Sequence, residues 1–201
     1  MGLTGGTAME ILTEITNNIL VITLNRPEAG NALNGALSEG LSNALTEAAE
    51  NPEVRAIVIT GAGEKIFCAG MDLKAFAAGE DIAKIGMGFA ALRKCTKPLI
   101  AAVNGHALAG GFEVVMLCDL IVSIETAKFG IPEVKRGLIA MAGGAIRLPR
   151  RLPRAVQGVR RGRDRPVRQA VDRSAGRGRN GELPRLLRRA RQPLPRRRRA
   201  G

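Results

Sequence analysis

Leu99-Ile100-Ala101-Ala102-Val103-Asn104-Gly105-His106-Ala107-Leu108-Ala109-Gly110-Gly111-Phe112-Glu113 carries the grammar of this chain. Five apolar residues make a run of buried-strand length, and Asn104-Gly105 stops it. The glycine pair then opens a helix near Gly111. Working outward, Ile19–Leu24 reads as a buried strand that ends at Asn25-Arg26-Pro27. Leu37, Leu41, Leu45 and Ala48 share one face of a helix expected over 34–50, which Asn51-Pro52 ends. Ala56–Thr60 is a short β-branched strand running into Gly61-Ala62-Gly63. A further helix is expected over 82–95, with Ile82, Ile85, Phe89 and Leu92 on its apolar side, and a strand at Leu120–Ser123. Strand and helix in alternation predict an α/β fold with mostly parallel pairing.

Composition bounds the reading. At 201 residues the chain is long enough for one domain with a sizeable core. The net charge of +13 suggests a polyanion binder until its distribution is seen. Residues 1–146 hold 11 basic and 15 acidic side chains, a balance of −4, whereas residues 147–201 hold 20 Arg against Asp164, Asp172 and Glu182, a balance of +17. Cys68, Cys95 and Cys118 are odd in number and set among apolar residues, which predicts buried, reduced thiols. No cysteine pair has metal-ligand spacing and there is one histidine, so no metal site is expected. The first ten residues lack a signal-peptide pattern, and no apolar run is long enough to span a membrane. The expectation is a cytoplasmic protein.

The chemistry-bearing residues cluster. In Ala69-Gly70-Met71-Asp72-Leu73-Lys74, small residues before a helix start expose backbone N–H groups where the helix dipole favours an anion. Gly110-Gly111 offers the same arrangement again. Two such donors converging on one oxygen would form an oxyanion hole, although either turn alone is more often a plain helix start. Glu113, one turn on, and Glu133 in Phe129-Gly130-Ile131-Pro132-Glu133 are the candidate acid and base. Taken singly, each is better explained as a solvated helix residue or a dipole partner. Their joint occurrence beside both glycine turns suits proton transfer on an acyl thioester. Gly61-Ala62-Gly63 is no dinucleotide fingerprint, because Ile66 stands where the third glycine would be.

Leu24-Asn25-Arg26-Pro27, Ala69 through Lys74, Ala102-Val103-Asn104-Gly105 through Glu113, Cys118-Asp119 and Phe129 through Glu133 resemble, in order and spacing, the enoyl-CoA hydratase/isomerase (crotonase) family. The resemblance covers residues 11–154. It implies a crotonase-like core of repeated ββα units wound as a spiral. It also implies that the N–H groups of Met71 and Gly110 hold the thioester carbonyl. Glu113 and Glu133 would then add water across the C2–C3 double bond of an enoyl-CoA. Ala69, Met71, Asp72, Leu73 and Gly110 would line the substrate site, and Lys65 and Lys74 match positions that contact the coenzyme A phosphates. Phe76 and Met87 are expected in the pocket wall. No cofactor is implied beyond coenzyme A as part of the substrate, and the family expectation is a homotrimer or dimer of trimers. Having both glutamates favours hydration over isomerisation. A carnitinyl-CoA dehydratase-like reaction is the same chemistry reversed.

Three features depart from the family pattern. Ala109 stands where a third glycine is common. Ile139-Ala140-Met141-Ala142 replaces a Pro-Gly turn before Gly143-Gly144. His106, with no serine or cysteine nucleophile in a matching context, reads as structural. The larger departure follows Arg154. From Arg147 on there is no Lys, aromatic, Met or Cys, and residues 155–201 show no sustained helical or strand period. This stretch is expected to be a disordered Arg-rich tail in place of the family's terminal helices. Its composition is that of a GC-rich gene read out of frame. Sequencing the coding DNA tests that idea, which fails if no single-base shift restores the family pattern. Three outcomes follow for activity: weak turnover from an intact site, an inactive remnant, or a cationic tail that binds polyanions. A specific nucleic-acid role is disfavoured, because the tail has no aromatic residue for base stacking.

Overall fold

A computed structural model describes residues 9–149. The expected boundary at residue 154 and the tail at 155–201 lie outside the described residues. The chain enters as a hairpin, β1 (Ile11–Thr16) antiparallel to β2 (Ile19–Leu24). Asn17 and Asn18 turn it, both left-handed at φ 51° and 62°, a conformation asparagine tolerates. The sequence reading placed β2 and missed β1. The reason is physical: Leu20, Ile22 and Leu24 of β2 alternate into the core, while β1 has no buried position and no clean alternation.

Helix α1 (Gly35–Glu50) begins where Asn34 accepts the Leu37 N–H at 2.9 Å and ends at Asn51. Its Leu37, Leu41, Leu45 and Ala48 are buried as their spacing predicts. Each such leucine contributes about 1.5–3 kcal/mol. The chain continues through β3 (Ala56–Gly61), β4 (Ile66–Cys68), α2 (Leu73–Ala77), α3 (Ile82–Lys94), β5 (Leu99–Val103), β6 (His106–Leu108), α4 (Gly110–Leu117), β7 (Leu120–Ser123) and β8 (Phe129–Gly130). A 3-10 turn over Glu133–Arg136 follows.

From β3 onward the strands are dealt alternately into two sheets. The larger has the order β1-β2-β3-β5-β7 and the smaller β4-β6-β8. Every pairing except β1–β2 is parallel. Each β3-β4, β5-β6 and β7-β8 step therefore advances both sheets by one strand. This is the α/β architecture with mostly parallel pairing that the resemblance implied.

Two polar side chains fix where the strands end. Asn104 donates to the carbonyls of Gly61 and Gly63, both at 2.8 Å, and accepts the Gly61 N–H at 3.1 Å. It thus locks the end of β5 to the β3–β4 turn. Asp119 accepts the Leu99 N–H at 2.9 Å, which aligns the starts of β5 and β7. Both are motif residues in the sequence, and their work is architectural.

Candidate active site

The turns at the ends of β4 and β6 meet through glycine. Gly70 has φ +96°, and a Cβ there would stand 2.7 Å from the Ala109 Cβ and 3.0 Å from the Gly110 nitrogen. Only a residue without a side chain lets the Met71 turn close on the start of α4. Gly111 likewise lies against the backbone of Cys68.

Met71 forms an isolated parallel bridge with Leu33. Leu33 N–H donates to the Gly70 carbonyl at 2.7 Å and Asp72 N–H to the Leu33 carbonyl at 2.9 Å. In that pattern the N–H of Met71 points away from Leu33. Gly110 is the first residue of α4, so its N–H is one of the helix's unpaired donors. Among the described residues, neither N–H has a hydrogen-bond acceptor. Both residues line a cavity of about 570 Å³, with Ala69 and Leu73 beside them.

Glu113 and Glu133 face the same cavity. Glu113 is buried at 4% exposure, and its Oε1 accepts the Gly144 N–H at 2.7 Å. Gly144 leaves it room, since a Cβ would sit 3.0 Å from Glu113 Cγ and Oε1 and press on the carboxylate. Burial raises the Glu113 pKa above its ordinary value; the Gly144 N–H opposes this, and the nearby Glu133 charge reinforces it. Glu133 opens the 3-10 turn, and its Oε2 is buried with no hydrogen-bond partner. Two carboxylates on one cavity, one desolvated and one with an open oxygen, are equipped to exchange protons with a bound molecule.

The other expected residues fall into two groups. Phe76 lines the cavity, but Met87 does not, which corrects the expected wall. Ile85, Gly86 and Phe89 hold the α3 side instead, because α3 turns the face carrying 85 and 89 inward and leaves residue 87 off it. Lys65 and Lys74 are exposed and stand outside the lining. The Asp72 carboxylate is occupied by Arg26 and by the N-terminus of α2. His106 pairs within β6 and its Nδ1 accepts the Lys128 N–H at 3.2 Å. Cys68 and Cys118 are buried and Cys95 only half so. Burial pushes the Cys68 thiol up to about 12, against a weaker pull from the Gly70 N–H, so it is no nucleophile at neutral pH.

Sequence reasoning missed Leu33, Arg93, Lys135 and Arg136, all of which line the cavity. Arg93 carried a signal, lying on the Ile85–Phe89 side of α3 one turn further on. Among the described residues no helix is long and apolar enough to cross a membrane.

The profile of the enoyl-CoA hydratase/isomerase family matches residues 14–159. A carnitinyl-CoA dehydratase from Salmonella enteritidis is 48% identical over 143 residues, which cover 69% of this chain and 54% of that protein. The crystal structure of a carnitinyl-CoA hydratase from Mycobacterium avium superposes with a TM-score of 0.69 at 49% identity, over 75% of this chain and 59% of the other. An enoyl-CoA hydratase from Mycobacterium tuberculosis H37Rv gives 0.68 at 50% identity, over 75% and 60%. The chain thus spans little more than half the length of the curated relatives it matches.

Proposed function

The chain belongs to the enoyl-CoA hydratase/isomerase family, and we propose that its cavity hydrates the C2–C3 double bond of an acyl-CoA thioester, or runs the reverse dehydration. The observation that carries this reading is the convergence of Glu113, Glu133 and the backbone of Met71 and Gly110 on one cavity. Addition of water places its oxygen on C3 and a proton on C2, and passes through negative charge on the thioester oxygen. The free N–H groups of Met71 and Gly110 are the proposed partners of that oxygen. One carboxylate takes the proton that water gives up, while the other carboxyl group supplies the proton for C2. Burial of Glu113 favours its holding a proton closer to neutral pH. Lys65 and Lys74, both exposed, are the proposed contacts of the coenzyme A phosphates.

The presence of both carboxylates favours hydration over double-bond isomerisation. A carnitinyl-CoA dehydratase reaction is the second reading, favoured by the Salmonella enteritidis relative that bears that name. Turnover of crotonyl-CoA, followed as loss of the conjugated-thioester absorbance, tests the first reading, and dehydration of carnitinyl-CoA tests the second. Glu113→Gln and Glu133→Gln should each lower kcat by about 10²–10⁴-fold, the usual contribution of a positioned acid or base. A wild-type chain that leaves both substrates unchanged, or glutamine variants as fast as wild type, would sink the proposal.

A further inference from the structure

We propose that Arg26 is a positioning residue that aims the Met71 N–H into the cavity by clamping both sides of the Leu33–Met71 bridge. The inference rests on the hydration reading for its functional half and on geometry for the rest. The Arg26 Nη1 donates to the Ala32 carbonyl at 2.8 Å and to Asp72 Oδ2 at 2.9 Å. Ala32 precedes Leu33 and Asp72 follows Met71, so one nitrogen spans the two segments that form the bridge. An isolated bridge has no neighbouring rungs to fix its twist, and this one consists of two backbone hydrogen bonds.

Upstream, the Met71 side is held by the Ala69 N–H, which donates to the Gly30 carbonyl at 3.0 Å, and by packing of Met71 on the core, so the clamp acts on the downstream side. Helix α2 is five residues long with no buried residue, so packing does not hold it in place. Asp72 joins that helix to the clamp. Its Oδ1 accepts the N–H groups of Lys74 and Ala75 at 3.1 and 3.2 Å, and its Oδ2 faces Arg26. Arg26, by contrast, is firmly seated. Its backbone N–H donates to Asn31 Oδ1 at 2.9 Å. Asn31 is fully buried and binds the carbonyls of Ala62, Ile66 and Phe67. Glu10 holds the Arg26 Nε side at 3.3 Å, and Asn34 in turn donates to Glu10 at 3.2 Å. The clamp therefore transmits the position of the rigid β3–β4 region to the loop that carries Met71.

Arg26→Met leaves the Glu10 and Asp72 carboxylates without their shared cation, so the fold itself could suffer. Asp72→Asn avoids this, because its carbonyl oxygen can still cap α2 while its amide presents a donor to a donor. Arg26→Lys keeps the charge and serves as the rescue variant. Hydrogen exchange at the Leu33 and Asp72 amides reads the clamp without any substrate. Asp72→Asn should speed exchange there about tenfold or more while β3 and α1 keep wild-type protection, with Arg26→Lys in between. The infrared carbonyl stretch of bound ¹³C-labelled crotonyl-CoA reads the aim: its red shift should shrink, and kcat should fall about 10–100-fold with KM changed less than about threefold.

Unchanged exchange at Leu33 and Asp72, or exchange that rises equally throughout the fold, overturns the clamp. Faster local exchange with an unaltered carbonyl shift and kcat overturns the aiming role. A wild-type chain that gives crotonyl-CoA no carbonyl shift overturns the hydration reading and the aiming role with it, while the exchange measurements still decide the clamp.

Discussion

Glu113 is where sequence and structure diverge most usefully at the scale of one residue. Its position beside Gly110-Gly111 is legible in the chain. That it is buried, held by the Gly144 amide and pressed by Glu133 is not legible, because those partners come from a segment about twenty to thirty residues away. The consequence is a stability that depends on pH. Burial first, then the Glu133 charge, raise the folded pKa above the ordinary 4.5, and the N–H groups of Gly144 and Ala142 only partly offset this. The native state therefore binds the proton more tightly than the unfolded chain. The associated stability is fully present below about 4.5 and is lost as pH rises through the folded pKa. Glu113→Gln has no proton to lose and keeps an oxygen for the Gly144 N–H. Its urea midpoint should gain on wild type as pH is raised from about 4 to about 8. Midpoint curves that stay parallel across that range would show that Glu113 is not desolvated as described.

At the scale of elements, length and periodicity determined what could be read. The helices over Gly35–Glu50 and Ile82–Lys94 and the strands at Ile19–Leu24, Leu99–Val103 and Leu120–Ser123 match their expected positions within a residue or so. The short pieces did not announce themselves. β4, β6 and β8 are two or three residues each, too short for any alternation to register. They are strands only because parallel neighbours complete their hydrogen bonds, and that information is nonlocal. Helix α4 shows a different conflict. Its N-cap, Ala109, has no side-chain cap and adopts φ 50° and ψ −128°, a region in which an L side chain is strained. Such a position costs about 1–3 kcal/mol, while glycine adds only about 0.4–1 kcal/mol of unfolded-state entropy. Ala109→Gly should therefore stabilise the chain by roughly 1 kcal/mol in denaturant unfolding. An unchanged or lowered midpoint would mean that the methyl group's contacts near Gly70 outweigh the strain.

At the scale of the whole molecule, the core is sound and, among the described residues, the rim beyond β8 is exposed. Phe67, Ile22, Leu24, Ile57 and Ile59 are fully buried, whereas Val134, Ile139, Met141 and Ile146 are 81%, 79%, 79% and 61% exposed. Four large apolar side chains in one short stretch exceed the scattered exposure normal for a monomer's surface. The composition break was plain in the sequence; which apolar residues stand exposed was not, since that depends on what packs over them. Two forces could make the chain associate, the apolar rim and the arginine-rich residues after 147, and salt separates them. Charge-driven association with polyanions weakens steeply as salt rises, and apolar association does not. In high salt the wild-type chain should bind a hydrophobic dye and sediment as concentration-dependent oligomers. Val134→Ser with Ile146→Ser, two positions outside the cavity lining, should reduce both signals while leaving low-salt retention on a polyanion matrix unchanged. If dye binding and oligomers vanish in high salt, the arginines are the adhesive surface; if they persist there in the double variant, Val134 and Ile146 are not.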